Sequence, residues 1–475
     1  MIALFGIVGC TSGALEDPSG RLLLEIDETH ATPPGPGFDG PTSEYASSLS
    51  AKMLCSRAFV AGGSPESTVD LELTLFGFAV LGFSIDEVTI DIDEGARTVT
   101  VTNEGDPPRT AVYAGSQGCV IQERGASALQ FTPVDVPWEG PSADEPWPRG
   151  EVLVEGDSAI DRDALTMVID DHLARRGLRA AVVVHQGELV GEGYAEGYGA
   201  MTPQRGWSTG KSVAATALGR LIDRGLIGLD DAAPVAAWQG DARQDITIRH
   251  LLNMSSGLDQ AFLSGFDTLF MPDNEHSFIY VDGFDVVADA VRVEAGSFEP
   301  GTDYAYRNVN PLTVTAIGRM LYEDDGGEPY AFLQREVFEP LGMRSSVAET
   351  DPYGNAIISG AFFTTARDLA RLALAHLDGG VFGGEQVLSE DWAAFAYAGS
   401  PGFEGYGAFW RNNLDDRFNL PTDAFFANGG FGQKAVAIPS RDLVVSQMGF
   451  DPLTDFENFE IFVNEVVAVV DAIEN

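Results

Sequence analysis

Lysine is nearly missing from this chain: it occurs three times in 475 residues, at Lys52, Lys211 and Lys434. Arginine supplies the rest of 28 basic residues against 72 acidic ones, a formal net charge of −44. A surface that negative repels polyanions, which excludes nonspecific binding to nucleic acid or to anionic membranes as a main function. The acids are scattered rather than blocked, as on a solvated acidic surface. No run reaches the ~18 apolar residues of a membrane span. Histidine is also scarce. His30, His172, His185, His250, His276 and His376 show no His-x-His or His-Glu-x-x-His spacing, so neither a metal nor another cofactor is expected. No Ser-His-Asp order stands out. Gly210-Lys211-Ser212 ends like a phosphate loop, but Arg205 stands where that loop needs its first glycine, which excludes the nucleotide reading.

What remains is globular protein, 44% apolar, long enough for two or three domains. Cys10 follows Ile7-Val8-Gly9 after a short apolar start and resembles the lipobox of a bacterial lipoprotein signal, although no Lys or Arg precedes it. Residues 1–10 therefore read as a truncated lipoprotein signal. The expectation is export to the bacterial cell envelope or secretion, with membrane contact only through a lipid on Cys10. In an exported protein Cys55 and Cys119 are expected to form a disulfide.

Composition then divides the chain. Residues 11–41 form a Thr-, Ser-, Gly- and Pro-rich linker. Residues 42–132 read as a β-rich accessory region, with a helix near Tyr45 to Val60 and strands at Thr68 to Leu75, Glu87 to Ile92 and Arg97 to Thr102. A second, proline-rich linker covers 133–157, and a larger domain runs from 158 to 475. That domain opens with a helix from Arg162 to Arg176 and a hairpin about Gln186-Gly187. Helices follow from Pro311 to Leu321 and Thr365 to His376, then strands at Tyr406 to Asn412, Asp423 to Ala427, Gln433 to Ile438 and Leu443 to Met448, and a last helix from Ile461 to Ile473. Strands at both ends imply one sheet assembled from distant segments, with helices inserted between them.

Lys211 stands one helical turn after Ser208, at the head of an apolar-periodic run through Val213, Ala217, Leu218 and Leu221. A lysine beside a serine hydroxyl can accept its proton once burial or a neighbouring cation lowers the lysine pKa, which arginine cannot do. Alone, this Ser-x-x-Lys pair is also what a helix with a capping serine looks like.

Further segments carry a family resemblance: Ile246 to Leu258, Glu299-Pro300-Gly301 leading to Tyr306-Arg307-Asn308, Thr364 to Ala370, and Ala427-Asn428-Gly429-Gly430-Phe431-Gly432-Gln433. With Ser208-Thr209-Gly210-Lys211, their order resembles the serine β-lactamase and penicillin-binding-protein superfamily, and within it class C β-lactamase-related esterases and 6-aminohexanoate-dimer hydrolase. The resemblance implies an α+β sandwich, an antiparallel sheet flanked by helices with an inserted helical subdomain. It implies Ser208 as nucleophile, Lys211 and Tyr306 as proton-handling partners with the base left open between them, and Asn308 as a residue that donates to the substrate carbonyl and holds the lysine. It places the oxyanion hole at the backbone N–H groups of Ser208 and Gly430, beside Asn428 and Gly429.

The family commonly has Lys or His where this chain has Ala427, so the cation that would bind a substrate carboxylate is missing. Lys434 and Arg307 are candidate replacements, though both are expected to serve ordinary surface roles. His250 is expected to be structural, and Asp259 to lie at the surface. The function implied is a serine hydrolase that acylates Ser208 and acts on small-molecule esters or linear amides. The alternatives are a penicillin-binding, β-lactamase or DD-peptidase enzyme of cell-wall metabolism, and a catalytically retired cell-surface binding protein.

Overall fold

The computed structural model describes residues 15–17, 19–30, 42–63, 88–154, 156, 158–175, 177–258, 284–296, 298–451 and 455–474. Cys10, the expected strand Thr68 to Leu75 and Asp259 lie outside them. In the accessory region, Thr42–Cys55 forms α1, and Val88–Asp93, Thr98–Asn103, Arg109–Tyr113 and Cys119–Ile121 form β1 to β4, an antiparallel sheet in that order. The turn after Asp93 is held by the Ala96 N–H, which donates to the Asp93 carboxylate at 2.8 Å. Alternation along β2 buries Val99 and Val101 in the core that α1 completes with Tyr45, Leu49 and Met53. The expected disulfide joins Cys55, at the end of α1, to Cys119 in β4.

The large domain begins at Arg162–Leu173 (α2), capped by the Asp161 carboxylate, which accepts from the Ala164 N–H. Leu178–His185 (β5) and Glu188–Tyr194 (β6) form the expected hairpin, with positive φ at both turn residues, 52° at Gln186 and 74° at Gly187. Thr209–Asp223 (α3), Ile248–Leu252 (α4), Val286–Arg292 (α5), Val309–Asp324 (α6) and Ala366–Leu377 (α7) follow. Arg411–Asn412 (β7), Phe425–Gly429 (β8), Gln433–Ile438 (β9), Leu443–Gly449 (β10) and Asp455–Asp471 (α8) close the chain. The sheet runs β7-β8-β9-β10-β5-β6, antiparallel throughout, with Leu443 opposite His185 and Val445 opposite Val183. One face packs Phe426, Val436 and Val445 against α2 and α8. The other packs Ala427, Ala435 and Val444 against α3 and α7, and the inserted helices α4, α5 and α6 continue that core. This is the α+β sandwich that the family resemblance implied.

One strand differs from expectation. Tyr406 to Asn412 pairs in the sheet only at Arg411–Asn412. Upstream, Phe409 takes φ 58° and the Gly407 N–H donates to the Trp410 carbonyl at 2.8 Å, which folds the segment into a corner.

The accessory region is locked to the large domain. The Glu349 carboxylate enters between α1 and β4, pairs with the Lys52 ammonium at 2.9 Å and accepts from the Ser56 hydroxyl at 2.6 Å. Both charges are fully buried, so each depends on the other. Phe431 and Phe450 of the large domain complete the accessory core. The proline-rich segment after 132 connects the two units but lies packed. Buried Arg371 donates to the carbonyls of Pro148 and Gly150 at 2.8 Å each, and Arg344 donates to the Pro141 carbonyl at 2.7 Å.

Candidate active site

Ser208 directly precedes α3 with φ −68° and ψ −3°, and its side chain caps nothing. The hydroxyl is therefore left for other chemistry, and the capping interpretation of this serine does not apply. It accepts from the Lys211 Nζ at 2.8 Å and lies 3.4 Å from the Ser359 carbonyl oxygen. The strained residue is Trp207, φ 50°, immediately before the nucleophile candidate. Gly206-Trp207-Ser208-Thr209-Gly210 also spells the Gly-x-Ser-x-Gly elbow of α/β-hydrolases. Here, however, the serine itself is α-helical in φ/ψ, and its partner is a lysine one turn on. Gly210 is required by close approach, since a Cβ there would stand 2.2 Å from the Ile358 carbonyl oxygen. That contact brings the 357–361 loop, with its Ser359 carbonyl, over the helix start.

Lys211 is 1% exposed. Its Nζ donates to the Ser359 carbonyl at 2.8 Å and lies 4.8 Å from the centre of the Tyr306 ring. Burial pushes its pKa down, against the opposing influence of Tyr306. Burial would raise the Tyr306 pKa, but the Lys211 charge, with hydrogen bonds from Lys211 and Ser208, outweighs it and lowers the phenol. Ser208, Lys211 and Tyr306 thus form one hydrogen-bonded cluster in which a proton can move. Asn308 is 2% exposed and precedes α6 without capping it. The Tyr306 to Asn308 stretch is held by Met254, φ 55°, whose carbonyl accepts from the Ala305 N–H at 2.8 Å and whose Sδ accepts from the Arg307 N–H at 3.4 Å. Below it His250 shares a capping box with Thr247 and fills the space beside Gly301. His250 is structural, as expected.

The opposite wall is the end of β8. A Cβ on Gly429 would come 2.2 Å from the Gly206 carbonyl oxygen, so only glycine lets this strand lie against the nucleophile turn. Around Gly430 there is open space, with no atom within 4 Å of an added Cβ. The side chain of Gln433 donates to the carbonyls of Gly430 at 3.3 Å and Phe431 at 3.2 Å, and accepts from the Gly449 N–H at 3.1 Å, fixing that turn. Neither the Ser208 nor the Gly430 N–H donates to a described turn or loop acceptor.

Two sequence expectations are corrected here. Asn428 is directly opposite Lys434 across the ladder, so the two share a sheet face. That is the face of Phe426 and Val436, turned toward α8 and away from α3. The pleat therefore places Ala427, not the Asn428 side chain, on the side of Ser208. Lys434 is fully buried with its ammonium 4.3 Å from the Phe456 ring centre, so it is neither a surface lysine nor a cation of this cleft. Arg307 folds back so that its guanidinium donates to the Tyr306 carbonyl at 3.4 Å.

Two other groups beside Lys211 carry no sequence signal. The Ser359 contribution is a backbone carbonyl, which no residue type announces. Arg411, at the end of the 406–411 corner, lies within electrostatic reach of both Lys211 and Tyr306. It was hidden because the corner reads as a strand.

The family model described as Beta-lactamase matches residues 165–448. A D-aminopeptidase of Cereibacter sphaeroides is 28% identical over 203 residues, 40% of this chain and 37% of that protein. Penicillin-binding protein 4* of Bacillus subtilis is 31% identical over 166 residues, 32% of this chain and 33% of that protein. This chain thus spans only about a third of these curated relatives. Among solved structures, a candidate 6-aminohexanoate-dimer hydrolase from Bacillus anthracis superposes with TM-score 0.54 at 19% identity, over 68% of this chain and 89% of its own. A family VIII carboxylesterase superposes with TM-score 0.52 at 16% identity, over 67% of this chain and all of its own. At these identities the likeness is one of fold.

Proposed function

This chain belongs to the Beta-lactamase family of serine hydrolases, and on that premise we propose that it hydrolyses small-molecule esters or linear amides through an acyl-enzyme on Ser208. The single observation that supports the reading is the Lys211 Nζ to Ser208 Oγ hydrogen bond, 2.8 Å, inside a buried cluster with Tyr306. The Lys211–Tyr306 pair takes the hydroxyl proton as Ser208 Oγ bonds to the substrate carbonyl carbon. The N–H groups of Ser208 and Gly430 hold the oxyanion. The same proton passes to the leaving alcohol or amine as its bond to carbon breaks. Water then adds to the acyl carbon, the Ser208 Oγ–carbon bond breaks, and the serine regains a proton, leaving a carboxylic acid.

Alanine at position 427 favours this over a penicillin-recognising reading, because a β-lactam carboxylate would find no cation on that strand. The packed Ser208, Lys211 and Tyr306 cluster favours it over a retired binding module. Export is proposed with it, supported by the Cys55–Cys119 disulfide. A panel of short-chain p-nitrophenyl esters tests the reading. Turnover that Ser208→Ala lowers by roughly 10³–10⁶-fold supports it. Turnover that survives the substitution, or stable acylation of Ser208 by a fluorescent penicillin with no ester turnover, contradicts it.

A further inference from the structure

A cation stands in this cleft at a position the sequence motifs do not mark. Arg411 stands opposite Phe426 at the sheet edge, half-buried at the end of the 406–411 corner, but its guanidinium turns back toward Tyr406 instead of following the Phe426 face. Helices α3 and α4 fix that corner: the Ser212 hydroxyl of α3 donates to the Phe409 carbonyl at 2.7 Å, and the Phe409 N–H donates to the Leu252 carbonyl of α4 at 3.1 Å. The Arg411 guanidinium lies 5.9 Å from the centre of the Tyr406 ring. Tyr406 meets Tyr306 edge-on at 6.2 Å, and Tyr306 in turn covers Lys211. Tyr304 and Phe403 extend this aromatic wall, at 5.2 Å from Tyr406 and 4.7 Å from Tyr304 respectively.

Among the described residues, no carboxylate pairs with or accepts from Arg411. That is unusual here, because acids outnumber bases 72 to 28 and arginines elsewhere in the domain pair with acids, as Arg367 does with Glu192, Arg371 with Asp368, Arg417 with Asp415 and Arg441 with Asp471. The groups around it are the phenols of Tyr304, Tyr306 and Tyr406 and the Lys211 ammonium; burial raises the pKa values of Tyr304 and Tyr406, which keeps both neutral, and Tyr306 is already held by Lys211. A half-buried guanidinium without an acid is matched by a ligand that brings one. The net charge of −44 repels anionic substrates at large, so recognising one requires a local cation.

We propose that Arg411 is the specificity-determining anchor of this site, and that the preferred substrates are esters or amides whose acyl chain carries a carboxylate that pairs with its guanidinium. The anchor that Ala427 lacks is thus supplied from the neighbouring strand and a different direction, which suits an extended acid rather than a fused-ring one. This inference rests on the hydrolase reading above.

Mono-p-nitrophenyl adipate and p-nitrophenyl hexanoate present the same six-carbon acyl chain with and without a terminal carboxylate. The ratio of their kcat/KM values, each taken on its pH plateau and corrected for spontaneous hydrolysis, isolates the carboxylate from general changes in rate. In the parent enzyme the ratio should exceed ~10, as expected of a charge-assisted pair. Arg411→Gln should lower it at least ~10-fold, chiefly through KM, and Arg411→Lys should retain part of it. A parent ratio near one with hexanoate turned over overturns the inference alone. A ratio unchanged in Arg411→Gln does the same. Failure to turn over either ester, with no labelling by a fluorophosphonate, overturns the hydrolase reading and the inference together.

Discussion

At the scale of single residues, the site depends on what two side chains decline to do. Ser208 does not cap its helix, and Lys211 does not reach solvent. Burial lowers the lysine pKa, and the lysine charge lowers that of Tyr306. The pair therefore loses a proton at lower pH than either free side chain, and the apparent value belongs to the cluster. Ester turnover should rise with pH along a limb centred below the ordinary lysine range, and the limb should vanish in Lys211→Arg, which keeps charge but cannot act as acceptor. A limb unchanged in that variant would assign it to another group. Tyr306→Phe should cost on the order of 10²–10⁴ in kcat with little change in KM, read from steady-state kinetics. Lys211 was legible in the sequence because lysine is scarce here, and Ser208 and Tyr306 because they stand in motif segments whose order resembles a known family. Asn428 was misread because a motif written in letters does not show the pleat, which sends alternate side chains to opposite faces.

At the scale of elements, the cleft is where the β8 end meets the turn before α3, and glycines set the distance. Gly429→Ala would put a methyl 2.2 Å from the Gly206 carbonyl, whereas Gly430→Ala would enter open space. The first should lose most activity while circular dichroism stays native, and the second should keep the fold and report only on substrate room. Equal activity in the two would remove the close-approach argument. The accessory region contributes through the same loop, since Phe431, next to Gly430, and Phe450 belong to its core with Tyr45, Val99 and Val101. Trp207 packs on Phe431 at 5.3 Å between ring centres, so both residues beside the proposed oxyanion donors lean on that unit. The accessory region thus packs behind the loop that carries Gly430. Glu349→Gln, which leaves Lys52 buried without its acid, should cost about 3–5 kcal/mol in urea unfolding and should lower activity before it unfolds the protein. The helix, the hairpin and the disulfide of this unit were readable from alternation and cysteine number. Its docking was not, because a buried Lys–Glu pair 297 residues apart leaves no local pattern.

At the scale of the whole molecule, a buried carboxylate pair makes stability depend on pH. Burial, then the neighbouring Asp285 charge, pushes Asp351 up to about 7, from 3.8. Its folded-state pKa lies above its unfolded one. The contribution is therefore complete below about pH 3.8 and is lost as pH rises through about 7. His172 and His376, held neutral by burial at about 3 and about 4 from 6.5, act oppositely, losing stability as pH falls below about 6.5. Asp285→Asn removes the charge that raises Asp351, so the difference in Tm between variant and parent should grow from pH 4 to pH 7.5 by roughly a few °C in favour of the variant. A difference that stays flat with pH would disconnect the pair from stability. The sheet built from both ends of the large domain was legible because its strands are apolar and bounded by turns. The Asp285–Asp351 contact was not, since it joins a helix cap to a remote loop through Asn355. The proposed covalent chemistry at Ser208 is detected most directly by peptide-level mass spectrometry of the protein after reaction with a fluorophosphonate. A stoichiometric adduct on Ser208 is expected, absent in Ser208→Ala and slowed in Lys211→Arg. An adduct on another residue, or none on folded protein, would contradict that chemistry.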